Sequence, residues 1–368
     1  MTTRLTTRLR SLDVFRGITV AAMVVVNNPG DWATVYWPLL HAEWHGWTPT
    51  DLIFPFFLFI VGVSLALASR AATVAGIIRR GAIIWGLGLL LAGFPFFRLT
   101  TLRIPGVLAR IAWCYVAAAL LVRAVASERD RARSILVAVA VLLGGYWILL
   151  TMVPFPGGVP GDLSAAGNIG AWLDRTLFGL HTWRGGAFDP EGLLSTIPAI
   201  GTTLLGVLAG GLIRDSPSPR AIVRGLLGWG LAGVVAGLVV AAWLPINKSL
   251  WTSSYALFTA GLASATLAVC YWLLDASPTE HLRGLTEPLV ALGRNAILLF
   301  VLSGLIAKTL IYVEWPDPAM SLGRWLYLSA FAPLAPPQVA SLLYAIANLL
   351  LLYALLAQLH RKKIYLTV

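Results

Sequence analysis

Of the 368 residues in the chain, 58% are hydrophobic and only 12% are charged. That is about half the charge of an ordinary soluble domain, which excludes a soluble globular enzyme, a disordered chain and a disulfide scaffold and leaves a polytopic membrane protein. The net charge of +11 comes from 27 Lys+Arg against 16 Asp+Glu; the basic residues sit in short runs between apolar segments, so the excess reads as membrane orientation and not as nucleic-acid binding.

A membrane span needs about 20 mostly apolar residues. Ten such stretches are read, at 12–30, 51–69, 81–97, 104–122, 134–154, 192–213, 225–247, 249–274, 288–312 and 336–359. The sixth and seventh contain no Asp, Glu, Lys or Arg, whereas the first carries Arg16, the fourth Arg110, and the ninth Arg294 and Lys308. Others follow the first run, so it reads as a retained helix and not as a cleaved leader. With the N-terminus inside, the inner segments hold 17 basic residues: Arg4, Arg8, Arg10, Arg70, Arg79, Arg80, Arg123, Arg129, Arg131, Arg133, Arg214, Arg220, Arg224, Arg283, Arg361, Lys362 and Lys363. The outer segments hold six: Arg98, Arg103, Arg175, Arg184, Lys248 and Arg324. This asymmetry predicts an all-α bundle of ten transmembrane helices, a single domain over 1–368, with both termini cytoplasmic. Cys114 and Cys270 fall inside apolar stretches and read as small core residues, since two cysteines define neither a disulfide framework nor a metal site.

Polar chemistry is concentrated on the outer side. The first outer loop, 31–50, contains Asp31, His41, Glu43 and His45; the third, 155–191, ends in Asp189-Pro190-Glu191; the fifth, 313–335, holds Arg324 and an apolar stretch read as a short interfacial or re-entrant helix. Ionisable groups within a bilayer are costly, so each is a candidate for function. Asp13 and Arg16 stand three residues apart on one face of the first helix, a spacing that allows them to pair. Arg110, Arg294 and Lys308 either snorkel to an interface or form part of a cation cluster for a phosphate-rich ligand.

Val26-Asn27-Asn28-Pro29-Gly30 ends the first helix with two amides at membrane depth, which the plain reading takes as a cap and turn. In His41-Ala42-Glu43-Trp44-His45-Gly46-Trp47-Thr48-Pro49-Thr50-Asp51, Thr48 or Thr50 with Asp51 suits the cap of the second helix, and the tryptophans suit an interfacial belt. A histidine set among Asn, Glu and Asp beside an embedded site also suits a base or nucleophile. His41 and His45 are four apart, but Gly46-Trp47-Thr48-Pro49 does not continue a zinc helix. No Gly-rich nucleotide motif or nucleophile-elbow serine is present.

Several segments together resemble one family. They are Ser11-Leu12-Asp13-Val14-Phe15-Arg16-Gly17, Met23-Val24-Val25-Val26-Asn27, the His41–Asp51 stretch running into Leu52-Ile53-Phe54-Pro55-Phe56-Phe57, Arg103-Ile104-Pro105-Gly106, Asp189-Pro190-Glu191-Gly192, Asn247-Lys248-Ser249-Leu250-Trp251 and Gly293-Arg294-Asn295. In this order they resemble the transmembrane acyltransferases typified by heparan-α-glucosaminide N-acetyltransferase, in their shorter bacterial form. The resemblance implies transfer of acetyl from cytoplasmic acetyl-CoA, a donor substrate used without a metal, to an outward-facing glucosamine-like amine. It places His41 as base or transient acetyl carrier, Asn27 as its partner at the end of the first helix, and Asp51 or Glu43 as an orienting acid. Arg16, Arg80 and Arg294, with the adjoining Asn295, become the inner-side candidates for the CoA phosphates. Arg110, toward the outer half, suits a site wall. Trp44, Glu43, Asp189, Glu191, Asn247, Lys248 and Trp251 become the candidate acceptor-binding residues.

The chain departs from the family pattern at Ala109, where glutamine is frequent, and carries no counterpart of the animal enzyme's luminal N-terminal domain. A bacterial inner membrane is therefore expected, and the family suggests a homodimer in lipid. Two other functions stay open on the sequence: acyl transfer to a hydroxyl of an envelope glycan, and small-molecule transport without catalysis.

Overall fold

Inside a bilayer every backbone N–H and C=O must be satisfied within the protein, and long apolar runs achieve this by becoming helices. The computed structural model describes residues 8–68, 73–125, 130–316 and 319–365; Arg4, Arg70 and Arg129 of the loop-charge asymmetry lie outside the described residues. The helices are α1 (Arg10–Asn27), α2 (Ile53–Leu67), α3 (Val74–Gly93), α4 (Val107–Ala124), α5 (Arg131–Met152), α6 (Ile169–Phe178), α7 (Thr196–Asp215), α8 (Pro219–Val240), α9 (Ser253–Tyr271), α10 (Glu280–Arg294), α11 (Ala296–Tyr312), α12 (Leu322–Leu326) and α13 (Pro337–Arg361). Among the described residues, β-pairing is limited to the isolated bridge between Glu314 and Ser321. The protein is all-α, as expected.

Among the described residues, eight helices are long and apolar enough to cross a membrane: α2 with its leading turn, α3, α4, α5, α7, α8, α9 with its trailing turn, and α13; the α10–α11 pair makes a ninth if counted as one span. The remaining expected span, 12–30, is α1, 18 residues long but bearing Arg10, Asp13 and Arg16 in its first half. The expected ninth span, 288–312, departs most from expectation. It is not one helix: α10 and α11 meet at a bend of 74°, where Asn295 leaves helical geometry (φ −118°, ψ 34°). The cause lies in α1. A Cβ on Gly293 would stand 2.0 Å from the Asp13 carbonyl oxygen, and one on Gly17 would stand 2.0 Å from that of Leu289. The two backbones therefore touch through paired glycines, and α10 follows α1 while its exposed Glu280, Arg283 and Glu287 stay out of the apolar layer that α11 enters.

The same device joins α2 to α7, where Gly62 packs on the Thr203 carbonyl and Gly206 on that of Phe59. Around this pair lies the largest core cluster, with Leu58, Cys114, Leu204, Trp251 and Tyr255 from α2, α4, α7, α9 and the turn before α9. Cys114 and Cys270 are buried free thiols. Lys308 does not snorkel. Its ammonium donates to the carbonyls of Leu91 (2.6 Å), Ala92 (3.1 Å) and Phe94 (2.9 Å), closing the C-terminal end of α3, where a cation is favoured. In the outer loops, α6 occupies part of 155–191, and the helix expected in 313–335 is α12 with the turn that follows it.

Candidate active site

The segment between α1 and α2 ends in a reciprocal cap, in which the Thr48 side chain and the Asp51 carboxylate each satisfy the other's backbone. That cap fixes Asp51, 1% exposed. Its Oδ2 accepts from Ala42 N (3.0 Å), Thr48 N (3.0 Å) and Thr48 Oγ1 (3.2 Å), and its Oδ1 lies 2.7 Å from His41 Nδ1. An ionised carboxylate only accepts, so Nδ1 carries the proton and donates it, and Nε2 keeps a lone pair. The His41 side chain is half exposed.

Lys248 completes the group. Its Nζ stands 3.5 Å from Asp51 Oδ1 and 3.0 and 3.2 Å from the two ring nitrogens of His41. Burial pulls its ammonium below the usual lysine range, against the opposing pull of Asp51 and Glu191. Asn247 holds the turn that presents it. The Asn247 amide donates to Trp44 O (2.8 Å), its Oδ1 accepts from Leu250 N (2.8 Å), and Gly46 N donates to Ile246 O (2.7 Å). The 41–51 segment and the turn before α9 are thereby zipped together, and Tyr255 OH adds a bond to the Asp51 carbonyl (2.5 Å).

A cavity of about 150 Å³ opens on this group, with Asn27, His41, Thr50, Glu191 and Lys248 as polar lining and Val20, Met23, Val26, Phe54, Leu108 and Phe300 among its apolar walls. A larger vestibule of about 1170 Å³ is lined by Arg16, Arg80, Arg123, Arg131, Arg214 and Arg294, with Asp215 as the one acid on its wall among the described residues. Phe57, Ile111 and Ile297 belong to the walls of both. An arginine-rich chamber and the His41 chamber thus adjoin across these three apolar side chains, the throat between them.

The expected donor-side residues largely converge. Arg16, Arg80 and Arg294 share the vestibule wall. Arg16 donates to Ser64 Oγ (2.8 Å) and pairs with Asp13 (3.2 Å), as the sequence spacing suggested. The Arg80 guanidinium lies 4.8 Å over the Tyr115 ring and that of Arg294 3.5 Å over Tyr365. Asn295 is buried at the α10–α11 bend and lines neither chamber.

The acceptor-side set divides. Glu191 and Lys248 reach the small cavity, while Asn247 positions Lys248 from behind. Arg110, expected in a site wall, is one layer deeper. It is completely buried, donates to Gly192 O (3.1 Å) and Ser195 Oγ, and stacks 5.0 Å over Trp251. Trp251 is likewise interior, its indole donating to Thr202 Oγ1 (3.1 Å). Asp189 is gripped by Arg103 (2.9 and 2.5 Å) and by the amides of Trp183 and Glu191; it shapes the loop from which Glu191 projects. Trp44 donates to Leu163 O (2.9 Å) and meets Phe188 edge-on, and Glu43 is exposed outside the Asp51 group. Arg110, Trp251, Asp189, Trp44 and Glu43 line neither chamber.

Sequence reasoning gave no role to Arg103, Tyr255 or the throat residues. It counted Arg123, Arg131 and Arg214 only as loop charge. Their signal was the crowding of arginine at helix ends, which says which side they occupy but not that they face one chamber.

The family model described as heparan-α-glucosaminide N-acetyltransferase, catalytic, matches residues 8–238. Over 363 aligned residues the chain is 31% identical to heparan-α-glucosaminide N-acetyltransferase of Mus musculus, covering 80% of this chain and 53% of that protein. Against the Homo sapiens protein of the same name it is 32% identical over 361 residues, covering 80% and 52%. The chain spans about half the length of the curated relatives it matches. The region matched by the family model includes Asn27, His41, Asp51 and Glu191.

Proposed function

Because the chain belongs to the heparan-α-glucosaminide N-acetyltransferase catalytic family, we propose that it is a transmembrane acetyltransferase that passes acetyl from acetyl-CoA to an amino sugar. The observation that carries this reading is the pair of adjoining chambers that share Phe57, Ile111 and Ile297 as wall residues, with arginines lining one and His41, backed by Asp51, lining the other. A transporter needs a passage too, but a buried carboxylate fixing one tautomer of a histidine is an arrangement for proton or acyl chemistry. The vestibule faces the cytoplasm and the His41 chamber faces outward in this reading, in keeping with the concentration of loop arginines and with both termini inside a plasma membrane.

Arg16, Arg80 and Arg294 hold the CoA phosphates, for which the guanidinium fork is suited. The thin pantetheine arm threads the apolar throat and brings the thioester to Asn27 and His41. The acceptor amine displaces the Lys248 ammonium from Nε2, loses its proton there and attacks the thioester carbon. Asp51 stabilises the imidazolium that results, Asn27 donates to the developing oxyanion, and Glu191 accepts from a sugar hydroxyl. The new C–N bond forms as the C–S bond breaks, and CoA leaves as the thiol with the proton returned by His41.

One observation favours a second route through the same residues. A cavity of about 150 Å³ is of the size that takes one benzene-sized molecule, less than a sugar and a thioester together. In that route His41 Nε2 attacks the thioester carbon, the C–S bond breaks and CoA leaves as the thiol with a proton from the Lys248 ammonium; the amine then attacks the acetyl carbon, its C–N bond forms as the bond to Nε2 breaks, and its proton returns to Lys248.

The test is release of free CoA from acetyl-CoA by the purified chain in lipid, with and without glucosamine, beside His41→Ala. Amine-dependent release that falls at least about 10²-fold in His41→Ala is expected, and an acetyl adduct on His41 without amine selects the second route. Full turnover by a folded His41→Ala variant overturns the assignment.

A further inference from the structure

The place an acceptor amine must take beside His41 is held by an amine of the chain itself. The chain has four lysines. Lys308 is locked among three carbonyls at the end of α3, and Lys362 and Lys363 are exposed beyond α13. Lys248 is the one that lines the His41 cavity.

Three features fit Lys248 to receive acetyl. Its Nζ stands 3.2 Å from His41 Nε2, within the roughly 3–3.5 Å at which reacting atoms are poised, so an acyl carbon brought to Nε2 comes within its reach. Its turn is fixed: Asn247 Oδ1 accepts from Leu250 N and the Asn247 amide donates to Trp44 O, each at 2.8 Å. The amine is therefore presented with little freedom left to lose. Its counter-ion is loosely held, because Asp51 lies 3.5 Å away and already accepts from Ala42, Thr48 and His41. Burial, which pulls the ammonium below the usual lysine range, raises the share of neutral, nucleophilic amine.

We infer that Lys248 is a self-acetylation site: when no acceptor fills the His41 chamber, the chain transfers acetyl from the thioester to its own Lys248 and stops. The inference rests on the acetyltransferase reading and adds a brake to it. The Lys248 ammonium gives one proton to His41 Nε2, from which it passes to water. The neutral amine attacks the acyl carbon, the new C–N bond forms as the C–S bond breaks, and the second amine proton leaves on the CoA thiol. In the route through acetyl-imidazole the first proton leaves on the thiol, the bond to Nε2 breaks in the second step, and the second proton passes through Nε2 to water. The product is an uncharged amide. It removes the cation from beside Asp51 and adds an acetyl group to a cavity of about 150 Å³, so transfer to a sugar is blocked.

The test incubates the full chain in lipid with acetyl-CoA, with or without glucosamine. Acetylated residues are then mapped by mass spectrometry after hydroxylamine, which strips acetyl from imidazole and leaves amides intact. With acetyl-CoA alone, acetyl is expected on Lys248 ahead of the exposed Lys362 and Lys363. Glucosamine protects Lys248, His41→Ala leaves it unmodified, and glucosamine-dependent CoA release by the wild type falls in step with the acetylated fraction. Glucosamine-dependent release by a wild type whose Lys248 stays unmodified overturns this inference and leaves the acetyltransferase reading standing. So does Lys248 acetylation that His41→Ala retains in full, or that trails Lys362 and Lys363, since the thioester then acylates lysines without the site. Neither release nor any adduct removes the reading and the inference together.

Discussion

Asp51 uses both carboxylate oxygens inside the protein. Oδ2 faces the amides of Ala42 and Thr48, which can only donate to it, and Oδ1 faces His41 Nδ1. In Asp51→Asn the side-chain oxygen must stay with those donors, so the NH₂ turns toward His41. Nδ1 then has to accept, the proton moves to Nε2, and the imidazole loses its lone pair on the chamber side. Turnover is expected to fall roughly 10²–10⁴-fold with acetyl-CoA binding unchanged; steady-state kinetics beside equilibrium binding check this, and wild-type kcat sinks the tautomer argument. At this scale the sequence was informative where polar groups crowd an apolar helix end. Asn27, His41 and Asp51 stood out that way and Lys248 through the family resemblance, and Asn27, His41 and Lys248 meet on one cavity wall with Asp51 behind His41. Arg110 and Trp251 stood out as strongly and are interior. A single sequence shows that a buried arginine is costly, but not that an indole face and the Gly192 carbonyl are waiting for it.

At the scale of elements, α6 is pinned to the start of α7 through Asp174, whose carboxylate accepts from Leu193 N at 2.9 Å. Burial pushes this carboxyl up to about 6, the Leu193 amide opposing. The folded chain then binds the proton more tightly than the unfolded chain. Its contribution to stability is full below about pH 4 and is lost as pH rises through about 6. Asp174→Asn removes the dependence, so wild type is expected to lose at most about 3 kcal/mol relative to the variant between those limits. Unfolding midpoints measured across that range check it; parallel profiles for the two proteins contradict it.

Hydropathy located most of the apolar helices because a bilayer demands unbroken apolar length. It failed at 288–312, because a window average cannot register that Gly17 and Gly293 bring two backbones into contact and turn the chain there. The short α6 was also beyond its reach, being set by a cap at Asn168 and not by a long period, whereas the apolar stretch of 313–335 did point to α12.

For the molecule as a whole, the arginine vestibule and the His41 chamber share Phe57, Ile111 and Ile297 as wall residues, and the proposed transfer has to pass there. Ile297→Trp, half-buried at that throat, is expected to leave CoA binding within about twofold while lowering turnover at least about tenfold. A binding isotherm and a turnover assay on one preparation separate the two effects, and unchanged turnover contradicts a path through the throat. Charge asymmetry along the chain put Arg80, Arg123, Arg131 and Arg214 on one side, and all four line the vestibule. The chambers themselves were not legible, since a cavity is defined by which helices fail to touch, and one-dimensional pattern reports only which faces are apolar.

In the proposed reaction acetyl enters on the arginine side and leaves on the His41 side. Its most direct measurement uses sealed vesicles holding the chain in one orientation, with acetyl-CoA supplied on the vestibule side and glucosamine enclosed on the other. The account predicts N-acetylglucosamine accumulating inside while CoA appears outside, and neither in vesicles bearing His41→Ala. Product formed only when both substrates share one side contradicts it.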